Sequence, residues 1–298
     1  MIYTLTLNPA VDYYITVDGF KPGVVNRTKG EKINFGGKGI NVSIVLKKLG
    51  FHSTCLGFVG GFTGEALENY LKQNDIDCDF VKIDGNTRIN VKLNDTDINS
   101  AGPDISESDL QQLYKKLDNL KSGDFLVLSG NVPKSLPQNI YETILERLKN
   151  KGVEFIVDAE KDLLLNTLKY KPFLIKPNHH ELGEIFNTEI NNFETALKHA
   201  EKLQNSGAEN VMISLGEKGA VLLDEYGETR VQAAPKGDVV SAVGSGDSAV
   251  AAFLAEYLNS GDYKKCLKLS VAAGSATAFS DGLAKKDFIT EIYNRSKL

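Results

Sequence analysis

The strongest constraint on the fold is a regular alternation of short β-rich runs and amphipathic helical stretches along almost the whole chain. This alternation is typical of an α/β protein in which helices cover both faces of a mostly parallel sheet. The predicted strands are Ile2–Leu7, Thr54–Val59, Phe125–Leu128, Glu154–Val157, Phe173–Ile175 and Val211–Ser214, followed by a hairpin of Ala220–Leu223 and Arg230–Ala233.

The sequence predicts the start of one helix, just after Ser106. Ser106 is a candidate N-cap, Asp109 follows three residues later, and Ile105 and Leu110 can pack across the cap. Leu110 also begins a buried stripe at helical spacing, which continues through Leu113, Leu117 and Leu120.

Two regions interrupt the alternation, within residues 12–34 and 88–100. Both contain β-rich runs separated by Gly, Pro, Asn and Asp, which predicts antiparallel strands in a small sheet that stands off the main one. Because both regions adjoin glycine-rich segments, we expect this small sheet to border the ligand site as a lid.

Charge and composition exclude several functional classes. Lys and Arg number 34 against 39 Asp and Glu, a net charge of −5 that does not favour nucleic acid or an anionic membrane. The N-terminal residues do not resemble a signal peptide, and no apolar run approaches the roughly 20 residues that span a bilayer, so a cytoplasmic location is predicted. The three cysteines lack metal-ligand spacing and are predicted to be structural thiols.

The segment from Gly244 to Ala249, GSGDSA, matches the dinucleotide-binding pattern G-x-G-x-x-[G/A]. That fingerprint normally opens the first βα unit, whereas here it lies in the last fifth of the chain and would point Asp247 toward a pyrophosphate. A phosphoryl-transfer site explains the segment better, because glycines let backbone N–H groups converge on an anion while Asp247 acts as a base. The motif alone leaves a second alternative open, in which Asp247 only caps the helix.

A second glycine-rich segment, NFGGKGINVS, runs from Asn34 to Ser43. It is not a Walker A loop, because Lys38 is followed by Gly and not by Ser or Thr. The turn can bring a polyhydroxylated ligand close to the backbone, with Lys38 and Asn41 as donors. An ordinary tight turn between a strand and a helix remains an alternative.

Taken in order, the motifs GGKGINVS, LSGNVP, KPNHHEL, SLGEKGA and GSGDS resemble those of the ribokinase-like PfkB carbohydrate kinases, and the resemblance covers the whole chain. The segments TLNPAVD, VNR, GFVGGFTG and TRINVKL resemble the branch of 1-phosphofructokinases and tagatose-6-phosphate kinases, and more closely the former. This resemblance implies a ribokinase-like three-layer α/β/α fold, with a small β-sheet lid, as one domain over residues 1–298.

The resemblance also implies the roles of individual residues. Asp247 would be the catalytic base beside an anion hole formed by Gly244, Ser245 and Gly246, and sugar hydroxyls would be bound by Asp12 and Asn41. The sugar-phosphate end of the pocket would be lined by Gly37, Lys38, Arg27, Arg88 and Ser129. The nucleotide end would contain Ser214, Gly216 and Gly219, while Asn178 and Glu181 would organise Mg²⁺ and the ATP phosphates, Glu181 through water.

Some positions depart from the family pattern. Ser241, Ala242 and Ser245 replace residues that adjoin the anion hole, and no role is assigned to Asp158–Leu164 or to Asn131. His179 and His180 are interpreted as surface or helix-start residues because adjacent residues do not share a helix face. His52 and His199 are interpreted as loop and helix-surface positions.

The expected activity is an ATP- and Mg²⁺-dependent kinase of a phosphorylated ketohexose, with fructose 1-phosphate first and tagatose 6-phosphate second. The alternatives are a dinucleotide-dependent oxidoreductase and a sugar-phosphate-binding regulator without turnover. A homodimer through the lid is expected if the lid strands expose apolar residues such as Tyr14, Ile15 and Val17.

Overall fold

The computed structural model describes residues 1–296 of the chain. Within this range the strands are β1 (Ile2–Thr6), β2 (Ala10–Thr16), β3 (Gly30–Gly36), β4 (Thr54–Gly60), β5 (Asp77–Cys78), β6 (Val81–Ile83), β7 (Arg88–Leu93), β8 (Thr96–Ile98), β9 (Phe125–Ser129), β10 (Glu154–Asp158), β11 (Leu174–Ile175), β12 (Asn210–Ser214), β13 (Gly219–Leu223) and β14 (Thr229–Ala233). The α-helices are α1 (Lys38–Leu49), α2 (Gly61–Gln73), α3 (Glu107–Leu117), α4 (Ile140–Leu148), α5 (Lys161–Leu165), α6 (His179–Phe186), α7 (Phe193–Asn205), α8 (Ser245–Ser260), α9 (Tyr263–Ala278) and α10 (Lys286–Arg295).

The main sheet has the strand order β14-β13-β12-β11-β10-β9-β1-β4-β5, and β6 also pairs with β4. The neighbouring strands from β12 through β5 pair in parallel, whereas β13 and β14 form an antiparallel hairpin at one edge. Every strand predicted for this sheet is present, and its bounds differ from the prediction by at most two residues. The carboxyl ends of the parallel strands therefore meet along one edge of the sheet.

Successive residues of a strand point to opposite sides of the sheet, so each strand supplies apolar side chains to both faces. Helices cover both faces. In β9, Phe125 and Val127 pack in a core with α1, α8, α9 and α10, while Leu126 and Leu128 pack in a second core with α3, α4 and α7. The predicted three-layer α/β/α arrangement is confirmed. The predicted capping box of α3 is also present, since Ser106 Oγ accepts from the N–H of Asp109.

A four-stranded sheet of order β3-β2-β7-β8 stands apart from the main sheet in the described part of the chain. Its strands come from the two regions that interrupt the alternation. The prediction of purely antiparallel pairing was wrong at its centre, because β2 and β7 pair in parallel. The crossover between them runs through α1, β4, α2, β5 and β6, so the two halves of the small sheet are joined through the main domain.

No helix within residues 1–296 is long and apolar enough to cross a membrane.

Candidate active site

A cavity of about 1340 Å³ lies between the carboxyl edge of the main sheet and one face of the small sheet. The main sheet supplies residues where its parallel strands end, namely Ser129 at the end of β9, Asp158 at the end of β10, Lys176 just after β11 and Ser214 at the end of β12. The small sheet supplies alternate residues of two adjacent strands, Ala10, Asp12 and Tyr14 from β2 and Arg88, Asn90 and Lys92 from β7.

Asp247 lies in the first turn of α8 and is 5% exposed. It is not the cap of that helix, because the N-cap is Gly244, whose φ of 80° lies in the left-handed region that favours glycine. The Asp247 Oδ2 atom instead accepts a hydrogen bond of 2.8 Å from Nδ2 of Asn41 in the first turn of α1. No side chain caps the start of α8, where the N–H of Ser245 bonds the carbonyl of Ala242. Gly246 and Asp247, the next residues of this first turn, line the cavity.

Burial raises the pKa of Asp247 to about 6. The carboxylate of Asp158 raises it further in the same direction, while the hydrogen bond from Asn41 and the nearby ammonium of Lys38 oppose the shift. A carboxyl group with this pKa is mostly ionised at neutral pH and can still take a proton, which is what a general base requires.

Two lysines converge on the buried carboxylate of Asp158. Nζ of Lys176 lies 3.2 Å from Oδ1, and Nζ of Lys38 lies 3.8 Å from Oδ2. Burial alone would raise the pKa of Asp158, but the two ammonium groups outweigh it and the pKa is lowered. Lys176 also reaches the glycine turn, since a Cβ built on Gly246 would lie 3.1 Å from its Nζ. The turn before α8 therefore has a buried positive charge beside it.

The glycines of the earlier turn serve packing as well as the cavity. Gly37 lines the cavity, and its φ is 139°. A Cβ at this position would lie 2.6 Å from Cγ2 of Thr6 at the end of β1. Oγ1 of Thr6 also accepts from the N–H of Ile40. The turn is thus a tight turn pressed against β1, and it also lines the cavity, while its role in binding a ligand stays a prediction.

At the small-sheet end, two buried donors have no hydrogen-bond partner within residues 1–296: Oγ of Ser129 and Nε of Arg88. Burial lowers the pKa of Arg88, and the carboxylate of Asp12 opposes the shift. Buried donors without partners are uncommon in folded proteins, and here both belong to residues that line the cavity. This end of the cavity is thus suited to an anionic, oxygen-rich ligand.

At the other end, the N-terminus of α6 is closed by a capping box between Asn178 and Glu181. Oδ1 of Asn178 accepts from the N–H groups of His180 and Glu181, and Oε2 of Glu181 accepts from the N–H of Asn178 over 2.8 Å. Burial raises the pKa of Glu181. Ser214, which bridges to Asn178, lines the cavity here together with Gly216 and Gly219.

The structure brings together all the predicted site residues except one. Arg27 is exposed in the segment between β2 and β3 and is not among the residues that line the cavity. The roles assigned to the other residues stay predictions.

Sequence reasoning missed several residues and misplaced others. Asp158, to which no role was assigned, lies at the centre of the charged cluster, and Lys176, Asn90 and Lys92 also line the cavity. A charged residue directly after a buried run is the signal that could have identified Asp158 and Lys176.

Asn131 lines the cavity as well, as do His179 and His180. His179 begins α6, as expected of a helix-start residue. His199 is buried against Phe186, so the surface interpretation was wrong for it. The described residues contain no group of three or more His, Cys, Asp or Glu side chains arranged to hold a metal.

The dinucleotide-binding pattern lacks its structural context. Residues 234–244 separate β14 from α8, so the glycines do not form the tight turn of a βα unit. The carboxylate of Asp247 is buried beside the turn where a pyrophosphate would bind.

Residues 5–287 match the family described as pfkB family carbohydrate kinase. The chain is 42% identical over 301 aligned positions to the 1-phosphofructokinase of Bacillus subtilis, covering 100% of this chain and 99% of that protein. It is 41% identical over 287 positions to the D-tagatose-1-phosphate kinase of Bacillus licheniformis, covering 95% of this chain and 94% of that one.

Solved structures agree with the fold. Phosphofructokinase-2 from Escherichia coli, in complex with substrates and products, is 29% identical and superimposes with a TM-score of 0.92, covering 98% of each chain. Arabidopsis thaliana ribokinase complexed with ribose and ATP is 20% identical with a TM-score of 0.76, also over 98% of each chain. The ribokinase-like fold class is confirmed.

Proposed function

The chain belongs to the pfkB family of carbohydrate kinases, and on that premise we propose that it transfers the γ-phosphoryl group of ATP to the 6-hydroxyl of fructose 1-phosphate. The products are fructose 1,6-bisphosphate and ADP. The observation that carries the proposal is Asp247, a buried carboxylate with a pKa of about 6 at the uncapped start of α8. Residues 1–298 act as one kinase domain, and the small sheet is its lid.

In this reaction Asp247 takes the proton of the attacking sugar hydroxyl. The new bond forms between that oxygen and the γ-phosphorus, and the bond from phosphorus to the β–γ bridging oxygen breaks with ADP as the leaving group. Asn41 holds the carboxylate through its 2.8 Å hydrogen bond. Because Asp247 is buried and mostly ionised at neutral pH, it can act without a prior deprotonation step.

The transferred group carries negative charge, and three features of the chain suit it. The first turn of α8 lines this part of the cavity and brings the positive end of the helix dipole to it. Lys176 lies beside Gly246 and Lys38 lies on the other side of Asp158. The carboxylate of Asp158 holds the ammonium groups of both lysines in place, and it raises the pKa of Lys38.

Sugar kinases of this family use ATP as co-substrate, and we propose that Mg²⁺ accompanies it. Mg²⁺ prefers oxygen ligands, keeps several waters and binds proteins through one or two carboxylates together with substrate phosphates. The carboxylate of Glu181 fits that requirement because it is partly buried and lines the cavity. Burial raises its pKa, against the opposing effects of the N–H of Asn178 and of Lys176 and Lys38. Glu181 would hold the ion through water, and the ion would neutralise phosphate charge.

The choice of sugar rests on the chemistry of the small-sheet end and on the names of the relatives. Arg88 and Ser129 carry buried donors without partners, which suits a phosphate at the end of the cavity away from Asp247. The two relatives described above are named for the 1-phosphates of fructose and of tagatose, which differ at C4. Tagatose 1-phosphate is therefore the alternative substrate to compare, in addition to the tagatose 6-phosphate expected from the sequence.

The test is release of ADP on mixing the protein with ATP, Mg²⁺ and each ketohexose phosphate in turn. We expect turnover with fructose 1-phosphate and thermal stabilisation by Mg²⁺ and ATP, but not by NAD or NADP. Sugar-phosphate binding without ADP release would favour the regulator, and stabilisation by NAD or NADP would favour the oxidoreductase. Either result contradicts the proposal.

We further propose that two copies of the chain associate through the lid. Of the three residues whose exposure would favour a dimer, Val17 is buried, Tyr14 lines the cavity and Ile15 is partly exposed. The opposite face carries alternate residues of all four strands and is mostly apolar, with Glu31 and Thr96 as its polar members. Its apolar residues are Val11, Tyr13, Ile15, Ile33, Phe35, Ile89, Val91, Leu93 and Ile98. Ile33 and Ile98 are each 56% exposed.

A second copy is the partner that fits this face, because a sheet with apolar residues on all four strands can bury them against the same surface of another copy. We expect Ile33→Asp to convert the protein to a monomer in light scattering coupled to size exclusion. A wild-type protein that is already monomeric would overturn the proposal.

A further inference from the structure

We propose that Asn90 is a positioning residue that couples recognition of the sugar hydroxyls to recognition of the substrate phosphate. Asn90 lies in β7, is 6% exposed and lines the cavity. The inference rests on the proposed function, because it assigns Asp12 to the sugar hydroxyls and Arg88 to the phosphate.

The side-chain amide of Asn90 makes two bonds in opposite directions. Its Nδ2 atom donates to Oδ1 of Asp12 over 2.8 Å, and its Oδ1 atom accepts from the N–H of Ser100 over 3.2 Å. Asp12 and Asn90 are register partners in the parallel pair of β2 and β7, so their side chains point to the same face of the small sheet. The carboxylate of Asp12 is thereby held by its neighbour.

The second bond leads to the arginine. Ser100 is fixed at three points, because its N–H bonds Asn90, its Oγ donates to the carbonyl of Ile89 over 2.6 Å, and its carbonyl accepts from Nη1 of Arg88 over 3.3 Å. The guanidinium of Arg88 thus bonds a backbone segment whose position depends on Asn90. One amide connects the carboxylate and the guanidinium within the small sheet.

The requirement for an amide is chemical. At position 90, a leucine could make neither bond, and an ionised aspartate could not donate a hydrogen bond to Asp12. An amide has both a donor and an acceptor in a group of this size, so Asn90 can orient Asp12 without adding charge beside it. The proposal predicts that Asn90 acts through Asp12 and Arg88 and not by its own contact with substrate.

The test is a set of double-mutant cycles with Asn90→Ala, Asp12→Ala and Arg88→Ala in the full-length protein, read as KM for fructose 1-phosphate, KM for ATP and kcat. We expect Asn90→Ala to raise the sugar-phosphate KM about tenfold and to leave the ATP KM within about twofold. In the background of Asp12→Ala, the further effect of Asn90→Ala should fall to about threefold or less, because the residue it orients is already absent.

Asn34→Ala is the matched control. Asn34 is the register partner of Asp12 on the other side and lies close to Tyr14, whereas the bond to the Asp12 carboxylate comes from Asn90. We expect its replacement to change the sugar-phosphate KM by less than about threefold. Additive effects of Asn90→Ala with both other substitutions, or equal effects of Asn34→Ala and Asn90→Ala, would overturn the proposal.

A failure of the proposed function is distinguishable from a failure of this inference. If the wild-type protein turns over none of the ketohexose phosphates, the proposed function fails. The positions of Asp12 and Arg88 in a crystal structure of Asn90→Ala then decide the role of Asn90. Displacement of both side chains supports the positioning role, and unchanged positions of both overturn it.

Discussion

Asn41 donates a hydrogen bond of 2.8 Å to the carboxylate of Asp247, which joins the first turns of two helices that lie 206 residues apart in the sequence. Both helices begin after a glycine with positive φ, which has no side chain to cap the helix. The bond fixes the carboxylate at a point where two helix N-termini face the same cavity. The role of Asp247 can therefore be tested by the catalytic rate, by the pH dependence of that rate and by the free energy of unfolding.

Asp247→Asn should lower kcat by roughly 10²–10⁴, the range expected for loss of a positioned base. The change preserves the size of the side chain and leaves an oxygen for Asn41, so the ATP KM should change little. Initial rates at saturating ATP and sugar phosphate measure the effect. A kcat near that of the wild type would remove Asp247 from the mechanism.

The pH dependence of kcat/KM should show an acid limb with an apparent pKa of about 6, because protonated Asp247 in the free enzyme cannot accept the hydroxyl proton. The phosphate group of the sugar substrate titrates in the same pH region, so a variant is needed to show whether the acid limb belongs to Asp247 or to the substrate. Asn41→Ala removes a hydrogen bond that lowers the pKa of Asp247, and the limb should move to higher pH. A limb that stays in place in Asn41→Ala would belong to the substrate.

The strands of the main sheet were predictable because hydrophobic periodicity and turn residues are local properties of the chain. The pairing of β2 with β7 was not, because it joins segments about eighty residues apart through a crossover that enters the main domain. The periodicity of YYITVDGF and RINVKLND does not specify which strands are neighbours. The sequence also does not specify which face of the small sheet a side chain lies on. Only the register shows that Tyr14 lines the cavity and that Val17 is buried.

Asp247→Asn should also stabilise the fold at neutral pH. The pKa of Asp247 is raised from 3.8 to about 6 in the folded protein, so the ionised form is disfavoured there relative to the unfolded chain. The cost is absent below pH 3.8, develops as the pH rises to about 6 and is complete above that value. At pH 7.5 the variant should gain up to about 3 kcal/mol in the free energy of unfolding.

Urea denaturation of both proteins at pH 7.5 and pH 4.5 checks this expectation, and the gain should be smaller at the lower pH. A variant that is less stable than the wild type at pH 7.5 would show that the charged carboxylate is well compensated in the fold. Greater stability with less activity is the usual consequence of removing a strained functional group.

Glu181→Gln should raise the Mg²⁺ concentration needed for half-maximal rate and leave the sugar-phosphate KM comparatively unchanged. The reason is that the substitution removes the charge of the carboxylate assigned to the ion but keeps its shape and an acceptor oxygen for the capping box of α6. Glu184→Gln on the same helix is the control, because Glu184 is exposed and pairs with Lys161. Identical Mg²⁺ titrations for the wild type and Glu181→Gln would exclude Glu181 from the metal site.

The charged cluster around Asp158 lay beyond sequence reasoning for a different reason. A charged residue after a buried run marks Asp158 and Lys176 as candidates, but the sequence alone does not show that they meet each other and Lys38. Their proximity follows from the parallel pairing of the strands, which brings the end of β10 beside the end of β11, and from the packing of the start of α1 at the same edge. Asp158 and Lys176 become a buried pair only through that topology.

Arg88→Ala should raise KM for the sugar phosphate far more than KM for ATP, because Arg88 lies at the small-sheet end of the cavity and its buried Nε has no partner within residues 1–296. A phosphate dianion supplies that partner, whereas free fructose does not, so fructose should be a poor substrate. Arg295→Ala, an exposed arginine of α10, is the control and should leave both KM values unchanged.

The same geometry leads to an expectation for substrate preference. With the phosphate held near Arg88, a ketohexose 1-phosphate presents its 6-hydroxyl toward Asp247, whereas a 6-phosphate would present C1. We therefore expect kcat/KM for fructose 1-phosphate to exceed that for fructose 6-phosphate and tagatose 6-phosphate by at least roughly tenfold, a difference of about 1.4 kcal/mol in transition-state binding. Parallel initial-rate measurements with all three sugars make the comparison, and a preference for tagatose 6-phosphate would retain the kinase assignment but reverse the orientation of the sugar in the cavity.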